Sequence, residues 1–330
     1  MKNFKFFIGV DVSKETLDFT LVINAKAELH MQTKNTEKDI DLFFKTVSKR
    51  FNIVKEDTIC CMEHTGCYTA ILLNYLSKKG INTWLESAVE IKYSLGLQRG
   101  KNDKVDSKRI AMYAFKNKHL VKLWSAPRKE ILQLKKLHSM RNKLKMALTN
   151  ISKAYSEQKF MEKDIFKLIK ESAKHSVNAI KQDIEKVEKA IYDIVRNDKQ
   201  LWHLFKLITS VKGVGTITAC NILIYTNEFK SINDPKKFAC YCGVAPFEHS
   251  SGSSVLGKTR VSNMANKDMK TYLHMAALAA AHYKGELQDY FHRKVAEGKN
   301  KMAVINAIRN KLIHRVFACV RDNRPYQNTW

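Results

Sequence analysis

Residues 6–12 read FFIGVDV, a β-rich apolar run that closes on Asp11 and passes straight into the turn residues Val12, Ser13 and Lys14. Aromatic and β-branched side chains suit an extended, half-buried strand. A carboxylate at the end of such a strand projects from the sheet, toward the edge where a metal can sit. A second run, LDFTLVI (17–23), follows at once, and ELHMQTKN (28–35) gives a third at the edge. Residues 4–35 therefore alternate like β-structure.

Moving outward, TEKDIDLFFKTVSKRF (36–51) switches to helical spacing, with Ile40, Phe43, Phe44 and Val47 on one face. DTICCMEHTG (57–66) reads as a buried strand ending in a Gly turn, and YTAILLNYLSKKG (68–80) as a helix closed by Gly80. INTWLES (81–87) gives one more strand. The order β-β-β-α-β-α-β is that of an RNase H-like α/β domain, a mixed sheet flanked by helices.

Three further carboxylates extend the feature that Asp11 begins. Glu63 follows the run Thr58–Met62, immediately before His64, Thr65 and Gly66. Asp103 and Asp106 stand three apart in KNDKVDSKRIAMYAF (101–115), where the chain becomes helical, so both can face one side. Singly, each has an ordinary explanation as a turn former or helix cap. Jointly, two strand-end carboxylates and an i, i+3 pair supply the hard oxygen ligands that Mg²⁺ or Mn²⁺ prefers. The chemistry that needs such a cluster is phosphoryl transfer, in which metal ions activate the attacking oxygen and stabilise the leaving one.

Charge points to the same substrate class. Lys and Arg number 58 against 32 Asp and Glu, a net +26, and such an excess favours a polyanionic partner through counterion release. Between Lys116 and Lys159 twelve Lys/Arg face two Asp/Glu, a bias that suits a nucleic-acid contact surface. No apolar run approaches a membrane span, and the N-terminus lacks a small-residue cleavage site, so neither a membrane segment nor a secretory signal is expected. The cysteines Cys60, Cys61, Cys67, Cys220, Cys240, Cys242 and Cys319 are odd in number and mostly set in apolar strings. They read as reduced thiols of a cytoplasmic protein. Cys240 and Cys242 lack further ligands at zinc spacing.

The spacing predicts three parts: an α/β domain at about 1–120, a helical coiled-coil region at about 121–200, and a mostly α domain at about 201–330. Val177, Ile180, Ile184, Val187, Ile191 and Ile194 form a heptad seam, which predicts a helical hairpin or coiled coil and makes oligomerisation plausible. TSVKGVGTITACNIL (209–223) has the Gly-apolar-Gly turn of a helix-hairpin-helix, so Lys212, Gly213 and Gly215 are candidate phosphate contacts. An ordinary turn between packed helices reads equally well there. GVAPFEHSSGSSVLGKTR (243–260) reads as a functional loop, polar and rich in Ser and Gly.

IGVDVSKETLD (8–18), CMEHTGCYT (61–69), NDKVDSKRIAMYA (102–114), ITSVKGVGTITA (208–219), FACYCGVAP (238–246) and SSGSSVLGKTRVS (250–262) together resemble the Piv/MooV-type insertion-sequence transposases, which include the bridge-RNA-guided recombinases. The resemblance spans about residues 7–326. It implies that Asp11, Glu63, Asp103 and Asp106 form a RuvC-like DEDD tetrad binding Mg²⁺ or Mn²⁺. It also implies that Ser251 is the nucleophile, forming a covalent phosphoserine link to DNA that conserves bond energy for rejoining. Local rules do not separate Ser251 from Ser250, Ser253 or Ser254. Lys258 and Arg260 become candidate contacts to the scissile phosphate, and His249 a candidate base. The implied partners are donor and target double-stranded DNA, a noncoding bridge RNA, and a second copy, with dimers assembling to tetramers.

One departure concerns the DNA contacts: the family's Lys-x-Gly-Asn type turn is replaced by Ser262-Asn263-Met264-Ala265-Asn266. Two rival readings compete with a serine recombinase. One is a RuvC-like, metal-dependent, structure-specific nuclease with no covalent intermediate. The other is a nucleic-acid-binding protein without catalysis.

Overall fold

The structure is a computed structural model describing residues 3–64, 66–94, 102–156, 160, 162–251 and 255–327. The chain divides into two compact units, residues 1–126 and 127–330.

In the first unit the strands are β1 (Phe6–Val12), β2 (Thr16–Ile23), β3 (Lys26–Lys34), β4 (Thr58–Glu63) and β5 (Asn82–Glu86). They form one sheet in the order β3-β2-β1-β4-β5, with β1 antiparallel to β2 and parallel to β4, and β4 parallel to β5. The helices are α1 (Glu37–Phe51), α2 (Ala70–Lys79), α3 (Ala88–Ser94) and α4 (Asp103–Lys116). This is the RNase H-like arrangement that the sequence pattern predicts.

Strand periodicity sorts the side chains into two cores. Ile8, Val10, Phe19 and Met62 face Ile40, Phe43 and Leu76 of α1 and α2. Their neighbours Phe7, Val22, Cys61 and Trp84 face Ile110, Ala111 and Ala114 of α4. Both faces are covered, which explains why the central strands read as nearly continuous apolar runs. Thr36 caps α1 by accepting from the Asp39 N–H at 3.3 Å, and Asn52 ends it in the left-handed region.

The second unit comprises α5 (Lys129–Ser156), α6 (Lys163–Asn197), α7 (Lys199–Thr209), α8 (Thr216–Thr226), α9 (Pro235–Tyr241), β6 (Pro246–Ser251), β7 (Val255–Val261), α10 (Lys267–His282), α11 (Glu286–Ala296) and α12 (Lys301–Arg321). The predicted seam is real: α5 and α6 pack along one another, with Ile184 and Ile191 buried and Val187 and Ile194 packed against the core. Arg141 of α5 donates to Glu188 of α6 at 2.6 Å. Arg128, at the entry to α5, makes a two-pronged contact with Asp198 (2.8 and 3.0 Å) and reaches the buried Glu228 at 2.6 Å. That network fixes the start of α5 to the α6–α7 junction and the end of α8.

One sequence reading needs correction. The stretch expected to be a loop at 243–260 is largely a β-hairpin, with Pro246 opposite Val261 and Ser251 opposite Val255. Its Ser and Gly content mimics a loop, while the alternation expected of two strands is carried by few apolar residues.

Candidate active site

The site begins at Gly9. A Cβ there would lie 2.2 Å from the backbone N of Ala111 and 2.3 Å from the carbonyl of Ser107, so only hydrogen lets α4 press onto β1. The buried Ser107 hydroxyl also lies 2.8 Å from that of Thr20 on β2. Farther along α4, Phe115 meets Phe7 edge-on at 5.3 Å. The helix thus runs against the direction of β1: Phe115 lies over Phe7, Ser107 and Ala111 over Gly9, and the Asp103 end over the Asp11 end.

Side-chain alternation completes the placement. Asp11 shares the face of Phe7 and Gly9. Glu63 shares that of Ile59 and Cys61, which pack against α4. The parallel register sets Val10 beside Met62, so Asp11 and Glu63 follow at the carboxyl ends of neighbouring strands. That edge is where open α/β sheets place ligands. Asn102 caps α4 by accepting from the Val105 N–H at 2.8 Å, leaving Asp103 and Asp106 in the first turn. Asp106 accepts from Arg109 at 2.7 Å.

The electrostatics register this convergence. Burial, then the charges of Asp103, Asp106, Glu63 and Asp18, push the Asp11 carboxyl up to about 6. Sequence reading missed Asp18. It stands directly opposite Asp11 in the β1–β2 register, is 3% exposed, accepts from Gln32 at 3.0 Å and lies 3.0 Å from His30 Nε2. Glu86, opposite Glu63 on β5, was missed as well; it accepts from Trp84 at 3.1 Å, Tyr113 at 3.2 Å and the Ser87 N–H at 2.8 Å. A carboxylate at an inward-facing register position is the signal that was available for both.

The donor set, four carboxylates with Asp11 lifted by burial and then by its acidic neighbours, fits a hard divalent cation. Among the described residues, no three His, Cys, Asp or Glu side chains converge closely enough to clasp an ion as they stand.

In the second unit, Ser251 ends β6, but its side chain lies outside what the structure describes, as do those of His249, Ser250 and Lys258; Ser253 and Ser254 lie outside the described residues altogether. Arg260 is exposed on β7. In the α7–α8 turn Lys212 donates to the Lys284 carbonyl at 3.1 Å. Gly213 has φ +94, and a Cβ there would lie 2.6 Å from the Ala276 carbonyl, so packing against α10 already accounts for it. Gly215 is the N-cap of α8 and faces open space.

Two family models match this chain. Residues 8–157 match a DEDD transposase model of the IS110 type, and residues 205–292 match the transposase IS116/IS110/IS902 family. The chain belongs to the IS110/Piv family of transposases. The first match covers β1 through α5, with all four carboxylates inside it; the second covers α7 through α11 and the hairpin. This transposase is similar over 326 residues, at 24% identity and 98% of both chains, to the pilin gene-inverting protein of Moraxella bovis. The Moraxella lacunata protein of the same name matches equally well, at 24% and 98%. A protein of insertion element IS110 from Streptomyces coelicolor is 28% identical over 125 residues, 38% of this chain and 31% of that one. Among solved structures, Thermus thermophilus RuvC in complex with a Holliday junction substrate matches 36% of this chain and 98% of its own, at 13% identity and a TM-score of 0.29.

Proposed function

We propose that this transposase cuts and rejoins DNA, and that Asp11, Glu63, Asp103 and Asp106 hold the divalent metal for its phosphodiester chemistry. One observation carries the reading: burial first, and then the charges of Asp103, Asp106, Glu63 and Asp18, hold the Asp11 carboxyl near 6. Such crowding is unfavourable without a cation and is characteristic of functional sites. The Moraxella relatives are named for inverting a pilin gene, and inversion requires DNA strands to be cut and rejoined.

When bound, Mg²⁺ or Mn²⁺ would stabilise charge on the attacking and leaving oxygens of an in-line displacement. The chain's own residues do the rest. Asp11 and Glu63 present oxygens from the sheet edge, and α4 supplies those of Asp103 and Asp106. Arg109 orients Asp106. Asp18, beside Gln32 and His30, and Glu86, which accepts from Trp84 and Tyr113, add carboxylates around the cluster. Because Asp11 retains a proton up to about pH 6, cation binding expels that proton, and affinity rises with pH through that value.

Attack by water is favoured over attack by Ser251, because the crowded carboxylates supply what metal-assisted activation of water needs. In that route water forms the new P–O bond and a strand hydroxyl leaves; the freed hydroxyl can attack a second phosphodiester. In the serine route Ser251 Oγ forms the P–O bond and remains attached to DNA. Labelled DNA incubated with full-length protein and Mg²⁺, then denatured and electrophoresed, separates the two. Free-ended fragments alone are expected; a protein–DNA adduct that disappears in Ser251→Ala would overturn the water route. A guide RNA, assembly of dimers into tetramers on two DNA segments, and action in the cytoplasm extend the proposal. The family resemblance supports the first two, and the net charge of +26 suits any polyanion.

A further inference from the structure

In the second unit, α10 packs along α12, and the β6–β7 hairpin roofs the groove between them. The groove holds a pocket of about 560 Å³ whose lining includes Lys270 of α10, Arg309 and Asn306 of α12, and Thr259 of β7. Its chemistry is lopsided. Among the described residues no carboxylate lines the pocket, and neither Lys270 nor Arg309 lies within ion-pair distance of one.

Arg309 is 7% exposed, yet its partners are neutral: His274 Nδ1 at 2.6 Å and Asn306 Oδ1 at 3.4 Å. Its Nε, fully buried, has no partner among the described residues. Burying a guanidinium without a counter-charge is strongly unfavourable, and an orphaned donor adds to that. Burial correspondingly depresses the Arg309 pKa, and burial first, then this guanidinium, lowers that of His274. The neighbourhood nevertheless fixes this arginine in place. Asn306 donates to the Val244 carbonyl at 2.9 Å, tying the chain that leads into β6 to α12. Lys270 and His274 stand one turn apart on α10, so the ammonium and the arginine's acceptor lie on one helix face.

We propose that this pocket binds a phosphodiester group of a DNA strand, with Arg309 and Lys270 neutralising its charge and the Thr259 hydroxyl within reach of it. The inference rests on the reading of the chain as a DNA-acting transposase. DNA rather than RNA is the committed occupant because the proposed reaction acts on DNA phosphodiesters, and Lys270 and Thr259 lie in the stretch 205–292 that matches the transposase family. A phosphate here would supply the missing counter-charge, which neither water nor a neutral ligand does.

The test measures affinity of the full-length protein for a labelled DNA duplex as a function of salt, for wild type, Arg309→Gln and Lys270→Gln. Each lost phosphate contact should reduce the slope of log K against log salt by about 0.9 and weaken binding about tenfold at moderate salt. Lys270 is only half-buried, so its substitution decides the matter if Arg309→Gln fails to fold. Wild-type affinity and slope in folded Lys270→Gln would overturn the proposal. So would a loss confined to an RNA duplex of the same sequence. An increase in melting temperature on adding inorganic phosphate, lost in Lys270→Gln while DNA binding is unchanged, would mean a free-anion site and would also overturn it. Cleavage by Asp11→Asn reads the carboxylate proposal and the salt slope of Lys270→Gln reads this one, so the failure of either is distinguishable.

Discussion

Asp11 is where the local physics of this protein is most legible. A carboxylate raised from 3.8 to about 6 binds more protons in the folded than in the unfolded chain between those values. Stability contributed by this group is therefore full below about pH 4 and declines as pH rises through 6. In metal-free buffer at pH 8, Asp11→Asn should melt a few degrees higher than wild type, with the difference vanishing near pH 4; calorimetry over that range checks it. His138 has the opposite sign. Burial first, then Arg141, lowers it to about 4, so its contribution is present above pH 6.5 and lost on acidification toward 4. Its ring signal in NMR should titrate near 4, and wild type should lose stability more steeply than His138→Asn between pH 6.5 and 4.5. The sequence shows Asp11, Glu63, Asp103 and Asp106 because each sits at an element boundary. Asp18 stays hidden because a carboxylate inside an apolar strand reads as outward-facing until the helix above it is known.

Elements position these residues through close contacts. The seating of α4 over Gly9 places the first turn of the helix at the strand end, so this single missing methyl helps assemble the site. Gly9→Ala puts a Cβ within 2.2 Å of backbone and should destabilise the first unit by about 3 kcal/mol or more. Chemical denaturation should show that loss, and DNA cleavage should fall even where the variant stays folded. The periodicity of β1 through α4 made these elements legible, since period 2 and period 3.6 alternate with clear caps between them. The α6 seam was legible for the same reason. The β6–β7 hairpin was not, because its strands carry few apolar residues. Gly213 was ambiguous in sequence because a phosphate-binding turn and a close helix contact both demand glycine, and the Ala276 carbonyl at 2.6 Å reveals the second demand.

At the scale of the whole molecule, an acidic cluster sits in a chain of net charge +26. The basic excess draws in the polyanion, while the cluster repels phosphate unless a cation intervenes. DNA binding should accordingly survive chelation and weaken steeply with salt, whereas strand cleavage should need the metal. The two-unit organisation separates the tasks as well, with the carboxylates in residues 1–126 and the basic pocket in residues 127–330. The most direct measurement compares cleavage of the element's end DNA by wild type and Asp11→Asn in Mg²⁺, after EDTA, and after Mg²⁺ is restored. Wild type should cut only with Mg²⁺ present and recover on re-addition, and the variant should cut on the order of 100-fold more slowly. Cutting by Asp11→Asn at the wild-type rate, or cutting indifferent to EDTA, would contradict the account.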